Sequence, residues 1–300
     1  MRKIGWAIIL ALTTVLVGFS WRGHQKTFMY EISNKDYVAN KEMFKNSGFE
    51  FAGVNVQKKA VYLLSSESSS SLLKSLNVSH SVRVLPQDSP DPKFKTPAAL
   101  ATAMQQLATQ YPNLAQLSSI GKSLEGRDIL ALRITQNVQQ PDGSKPVILF
   151  NGMHHAREVM SVEVPLDIAN YLLTNYGSDT KVTAWLNADV VYVVPMLNPD
   201  GNNMVWTSDN MWRKNTQGGY GVDINRNYPY AWNSCDGSSS DTSADDYRGP
   251  SAASEPETNV VMKFVSTIHP VLCMGLNLSL LPQIHLVCCA CFNPTLCPLF

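Results

Sequence analysis

The sequence predicts an α/β protein: a mixed, mostly parallel central sheet with helices on both faces, preceded by a small α+β unit. Three observations predict it. Two unbroken apolar runs, Val147–Phe150 and Val190–Met196, read as buried strands, and each leads into a polar turn. Helical spacing fills the chain between them, with Val164, Ile168, Tyr171 and Leu172 on one face of Glu163–Asn175 and Val182–Leu186 continuing in the same style. Strands that alternate with helices imply a sheet covered on both sides, which binds ligands beyond the C-terminal ends of its strands.

The chain opens on Arg2 and Lys3, then the uncharged, mostly apolar run Ile8–Phe19, with small residues at Gly18 and Ser20. This is the pattern of a secretory signal peptide over residues 1–21; an uncleaved anchor is the alternative, because Ile4–Trp21 is near the lower length limit for a span. Phe28–Ile32, Phe49–Val56, Ala60–Leu64 and Val82–Leu85 read as strands, and Tyr37–Asn46 and Ser68–Leu76 as helices. Their order, strand–helix–strand–strand–helix–strand, gives a small α+β unit over residues 22–95. Asn77-Val78-Ser79 is a glycosylation sequon in a eukaryotic secretory route. Residues 87–95 are polar and proline-bearing, a linker whose lysines suit a trypsin-like protease; an ordinary interdomain linker has the same composition.

The larger unit starts near Thr96. Leu100, Met104, Leu107 and Ala108 share a face of Pro97–Gln110, which ends at Tyr111-Pro112 because a residue before proline avoids the helical region. Leu117–Ile120 and Ile129–Thr135 are strands around a turn at 121–127, and Asn198-Pro199-Asp200-Gly201 is a second turn. Ser254 caps a helix that Glu257 closes as a capping box, ending before His269-Pro270.

Composition narrows the function. Formal net charge is zero, which gives no reason to expect a nucleic acid or an anionic surface as partner. A cleaved leader leaves no stable association with a membrane. At the end of the first apolar run, His155 and Glu158 have the spacing that lets one turn of chain offer an imidazole and a carboxylate to one ion. Zinc sites that keep a position open for water commonly use two histidines and a glutamate.

From about Thr96 to about Pro270 the chain resembles the zinc carboxypeptidases of the carboxypeptidase A/B family. The resemblance rests on seven motifs in the family's order: Gly121–Arg127, Gly152–Glu158, Asn198–Gly201, Trp212–Lys214, Gly221–Asn227, Tyr247–Gly249 and Ser254–Glu257. It implies a signal and an inhibitory prosegment of ferredoxin-like shape, a secreted enzyme, and one zinc ion used to release amino acids from the C-termini of peptides and proteins. It implies His155 and Glu158 as zinc ligands, with Ala156-Arg157-Glu158 setting the register on His155 rather than His154. Asp223 would orient the His155 ring, as metal-bound histidines require. Arg213 would stabilise the oxyanion, Asn225 and Arg226 would hold the terminal carboxylate, and Arg157 would line the adjacent subsite.

The end of the chain departs from the family. The third ligand, a histidine usually followed by serine, is expected between Met274 and Leu286, where only His285 lies, flanked by Ile284 and Leu286. A neutral histidine packed in an apolar stretch is the plainer reading of His285. No Asp or Glu follows Glu257 to act as general base, and the 37 residues after Lys263 carry no charge but five cysteines and four prolines. The expectation is a catalytic unit over residues 96–272 and an atypical tail over 273–300, where the sequence leaves its reading frame after about Leu272–Leu280. Such a chain would be an inactive carboxypeptidase, a non-catalytic binder of peptide C-termini, or a gene fragment.

Overall fold

The computed structural model describes residues 27–278 and 284–288 except 56–57, 66–68, 86–89, 142 and 235–237; for residues 50, 53, 277–278 and 284–288 it describes the backbone alone. The expected leader and most of the expected tail lie outside the described residues, as does the first part of the linker.

The first sheet contains β1 (Phe28–Ser33), β2 (Glu50–Asn55), β3 (Ala60–Ser65) and β4 (His80–Val84) in the order β2-β3-β1-β4, with every pair antiparallel. Helices α1 (Asn34–Asn46) and α2 (Ser70–Ser75) lie between the strands in the expected order. Ser33 caps α1 by accepting a hydrogen bond from the Asp36 amide at 3.0 Å. Alternation along β1 and β3 divides the apolar residues between two faces. Tyr30, Ile32, Val61 and Leu63 pack with Phe44, Leu73 and Val78 on the helix side. Met29, Tyr62 and Leu64 gather Ala52 and Leu85 on the other side, where Met211 of the larger unit packs against them.

The larger sheet runs β10-β9-β7-β8-β6-β5, built from β5 (Ala115–Lys122), β6 (Asp128–Ile134), β7 (Val147–Gly152), β8 (Val190–Val194), β9 (Leu272–Leu278) and β10 (Ile284–Cys288). It is a mixed sheet, as expected, but not a mostly parallel one among the described residues: β7 runs parallel to both β8 and β9, while β5–β6, β6–β8 and β9–β10 are antiparallel, because parallel pairing needs a helical crossover and only the central strands have one. The expected boundary between residues 272 and 273 falls inside β9.

Helices cover both faces. Helices α3 (Pro97–Gln110), α4 (Met160–Asn175) and α5 (Thr180–Ala188) pack with Leu132, Ile134, Val191 and Val193. Helix α7 (Pro256–Ile268) packs with Ile129, Ala131, Leu149 and Cys273 on the opposite face. The Thr96 hydroxyl accepts from the Ala99 amide at 3.1 Å, and Pro97 follows it, so α3 begins where its sequence directs.

Two local expectations are corrected. Asn198–Gly201 is not a free turn but the start of a helix, α6 (Pro199–Thr207): Asn198 Oδ1 accepts from the Gly201 amide at 2.9 Å and Pro199 takes the first helical position. The capping box at α7 does not form. Glu255 is the N-cap, no side chain caps the helix, and Ser254 Oγ donates to Glu255 Oε1 at 2.6 Å. Glu257 turns inward to accept from the Leu124 amide at 2.9 Å and from Asn215 Nδ2 at 3.2 Å. Buried donors from distant segments outcompete a local cap that water can replace.

Candidate metal and carboxylate site

Strands β7, β8 and β9 open their C-terminal ends in the same direction, and the chain leaving β7 carries the site. It turns at Met153, whose φ is 54°, and runs through His154–Glu158 before α4 begins at Met160. Two glycines allow the approach. A Cβ on Gly152 would sit 2.1 Å from the Ser161 carbonyl oxygen, and one on Gly201 would sit 2.4 Å from the Lys214 carbonyl oxygen. Asn198 Nδ2 donates to the carbonyls of His154 and Lys214, both at 3.1 Å, and the Ala156 amide donates to the Arg213 carbonyl at 2.9 Å. One asparagine therefore caps α6 and ties the histidine loop to the Arg213 segment.

His155, Glu158, Arg213 and Asp223 meet in the buried interior of this arrangement. His155 Nδ1 lies 2.9 Å from Glu158 Oε1, and His155 Nε2 lies 3.2 Å from Asp223 Oδ1. Arg213 donates to Asp223 Oδ2 from Nε at 3.2 Å and from Nη2 at 2.9 Å. The Asp223 carboxylate, with no exposed surface, thus joins the imidazole through one oxygen and the guanidinium through the other. Burial opposes its ionisation, but Arg213 and His155 hold its pKa well below the ordinary range. Burial likewise works against the Glu158 anion, and His155 and the two arginines outweigh it, so its pKa is lowered. Burial and Arg213 work against a charged His155, yet Asp223 and Glu158 raise its pKa.

The other expected residues surround this group. Arg157 Nη1 donates to the Met211 carbonyl at 3.2 Å and to Asp245 Oδ2 at 3.3 Å. The Asn225 amide donates to Asp223 Oδ1 at 2.9 Å, and Asn225 and Arg226 form a short 3-10 turn, half-buried, directly after Asp223. His154 points elsewhere: its Nε2 lies 3.0 Å from the Tyr228 hydroxyl, with the two rings edge to face.

The donor set fits two of the ligands a zinc ion takes. An imidazole nitrogen and a carboxylate oxygen face each other at 2.9 Å, and Glu158 Oε2 is buried with no hydrogen-bond partner among the described residues. Among the described residues no group of three or more His, Cys, Asp or Glu side chains is arranged to hold a metal ion, since Asp223 lies on the far nitrogen of the His155 ring from Glu158. His269 is excluded by its place: it caps the C-terminus of α7, and Val271 just after it bonds the start of β7 at Val147, the opposite end of the sheet from His155. The backbone of His285 pairs with Asn277, level with the site end of β9 and two strands, roughly 10 Å, from β7; its side chain lies outside the described residues.

Residues that sequence reasoning passed over hold the site from outside. Lys214 buries its ammonium against the carbonyls of Thr242 and Ala244, at 2.9 and 2.8 Å, fixing the loop that carries Asp245. Asn215 Nδ2 donates to Glu255 and Glu257, and its Oδ1 accepts from the Val222 amide at 2.7 Å, next to Asp223. Asp200 accepts from Ser123 Oγ, the Glu125 amide and Arg127 Nη1, at 2.8, 2.8 and 2.7 Å. Only the Asn-Pro start of α6 left a local signal in the sequence.

The model of the zinc carboxypeptidase family Peptidase_M14 matches residues 100–283. A metallocarboxypeptidase A-like protein of Trichophyton verrucosum is 38% identical over 170 residues, 54% of this chain and 38% of that relative. The inactive metallocarboxypeptidase ECM14 of Uncinocarpus reesii is 36% identical over 150 residues, 47% of this chain and 26% of that relative. The chain therefore spans well under half the length of these two relatives. In fold it is similar to the crystal structure of carboxypeptidase A from Helicoverpa armigera, with a TM-score of 0.70 at 23% identity, over 84% of this chain and 69% of that one.

Proposed function

Since the chain belongs to the zinc carboxypeptidase family Peptidase_M14, we propose that its site receives the free C-terminus of a peptide beside one zinc ion held by His155 and Glu158. The observation that carries this reading is the convergence of His155 and Glu158 with Arg213 on the single carboxylate of Asp223. A bound zinc ion supplies Lewis acidity toward the scissile carbonyl and its attacking water. Asp223 fixes the ring of His155 through Nε2, which leaves Nδ1 toward Glu158 and the ion. Asn225 and Arg226 take the terminal carboxylate, for which a planar guanidinium offers two parallel donors. Arg157 borders the neighbouring residue of the peptide, and Arg213 stabilises the oxyanion.

The 300-residue chain itself is proposed to be inactive. No acidic residue follows Glu257, and Glu257 is committed to Leu124 and Asn215. The presence of the arginines and Asn225 without an evident base favours a second reading, a non-catalytic binder of peptide C-termini. Purified chain is expected to hold less than one zinc per molecule by atomic emission and to leave a blocked dipeptide intact. Turnover that a chelator abolishes would overturn the proposed inactivity.

Residues 1–21 are proposed as a cleaved signal, residues 22–95 as a prosegment, 96–272 as the core of the catalytic unit and 273–300 as an atypical tail of a secreted precursor. Among the described residues no helix is long and apolar enough to cross a membrane. Cys273 is disulfide-bonded, which favours an oxidising compartment. The prosegment is proposed to obstruct the site, because its sheet packs on Met211, whose carbonyl holds Arg157.

An activating protease would find unequal lysines in the linker. The Lys93 side chain is 88% exposed, whereas Lys95 is bound to Glu163 through both its amide at 2.8 Å and its ammonium at 2.9 Å. Brief trypsin treatment is expected to cut after Lys93 well before Lys95, as read by the mass of the released fragments. Glu163→Ala should bring the two rates together; first cleavage at Lys95 in the unaltered chain contradicts the assignment.

A further inference from the structure

The triplet Asn77-Val78-Ser79 has no part in the site above. It forms the turn between α2 and β4, with Asn77 in the left-handed region at φ 55°. The turn's backbone is secured: the Asn77 amide donates to the Lys74 carbonyl at 3.0 Å, and the Val78 amide to the Leu73 carbonyl at 2.9 Å. Val78 is buried in the helix-side core, and this anchoring turns the side chains on either side of it outward. Asn77 and Ser79 are both exposed, and neither the carboxamide nor the hydroxyl has a hydrogen-bond partner among the described residues.

We propose that Asn77 is an N-glycosylation site. Asn77 Nδ2 attacks the anomeric carbon of an oligosaccharide linked to a lipid diphosphate. The C–N bond forms as the C–O bond to phosphate breaks; the amide proton passes to the transferase and the lipid diphosphate leaves. The Ser79 hydroxyl is the recognition element two residues on. A folded surface position suits this chemistry, because the acceptor turn is reachable without unfolding the sheet. The glycan also finds room: Asn77 is on the helix side of the first sheet, while Met29, Tyr62, Leu64 and Leu85 on the opposite face meet Met211. It leaves the contact with the larger unit untouched, and it departs with residues 22–95 if the linker is cut. A second triplet, Asn277-Leu278-Ser279, differs in place: Asn277 is on β9, a strand flanked on both sides by β7 and β10.

The proposal rests on the secretory reading of residues 1–21, and one experiment separates the two. The full chain is translated in the presence of endoplasmic-reticulum microsomes. Protection from added protease reports translocation, and apparent mass with and without an N-glycan-cleaving amidase reports modification. The expected result is a protected chain one glycan heavier, sensitive to the amidase. That step is lost in Asn77→Gln and in Ser79→Ala, and kept in Ser79→Thr and in Asn277→Gln. A protected chain without the step overturns the site while leaving the secretory reading intact, as does a step that survives Asn77→Gln. An unprotected chain overturns the secretory reading and the modification with it.

Discussion

Replacing Asp223 with alanine lowers the unfolding temperature of the metal-free chain by about 10 °C, the expected consequence of removing a buried carboxylate that costs about 3–5 kcal/mol. The carboxylate has no exposed surface and takes hydrogen bonds from Arg213 on Oδ2 and from the Asn225 amide on Oδ1, which also faces His155. Without it the guanidinium and the imidazole face each other across a cavity. Asp223→Asn keeps the volume but offers one acceptor oxygen where two are used, so its loss should fall between those of the wild type and alanine. The sign with pH follows from the direction of the shift. The folded pKa of Asp223 is depressed, so its contribution is present above the unfolded value and disappears as pH falls through the folded one. Wild type and Asp223→Ala should therefore converge in stability in strong acid. Thermal unfolding across pH checks both points, and a neutral-pH difference of only 1–2 °C would show that the carboxylate is dispensable. Zinc affinity should fall as well, by about 10–100-fold, as it does when the group orienting a ligating histidine is lost.

Asp200→Ala is the second large effect, and it lies away from the proposed ligands. Asp200 is buried at the start of α6 and accepts from Ser123 Oγ, the Glu125 amide and Arg127 Nη1. Its removal leaves the Ser123 hydroxyl and the Glu125 amide without their acceptor, leaves Arg127 Nη1 with Glu125 alone, and deletes a negative charge from a helix N-terminus. The expected loss is about 3 kcal/mol, discounted because the Arg127 side chain is 32% exposed and water recovers part of its solvation. Urea unfolding followed by tryptophan fluorescence should show a lower midpoint with an unchanged slope. A midpoint equal to wild type would mean that water replaces Asp200 without cost, and that Glu257 and the turn's own hydrogen bonds, such as the Ser123 amide to the Arg127 carbonyl at 2.9 Å, suffice to hold residues 121–127. Glu257 remains in the variant to receive the Leu124 amide, so the turn should loosen rather than unfold.

Where periodicity dominates, sequence and structure agree. The apolar runs became β7 and β8, and the spaced residues of Pro97–Gln110 and Glu163–Asn175 became α3 and α4, the latter starting three residues earlier at Met160. Agreement fails where a local signal competes with a distant partner. Ser254 and Glu257 have capping-box spacing, but Leu124 and Asn215, far away in sequence, supply donors in a dry interior. Asn198–Gly201 reads as a turn and proves a helix start for a related reason: Asn-Pro suits both, and the contacts that fix Asn198 in place are with His154 and Lys214. Within the site, the His155–Glu158 pair is readable from its spacing because both residues come from one loop. Nothing local marks Asp223 or Arg213, which lie 68 and 58 positions beyond His155; only the resemblance pointed to them. The Tyr228 hydroxyl that holds His154 could not be found from either residue alone.

The pairing of β7 also fixes an order of events during synthesis. One of its edges is taken by β8, but the other waits for β9, where Leu149 lies opposite Cys273, more than a hundred residues later in the chain. At about 5–20 residues per second, the strand that leads into the histidine loop leaves the ribosome with one open edge for roughly ten seconds. During that interval its unpaired amides and carbonyls are a template for any other extended segment nearby. The first sheet, whose strands all pair within residues 28–84, closes long before. The earlier-folded unit is thus already present, with the apolar face that later meets Met211, while the central strand is still half bare.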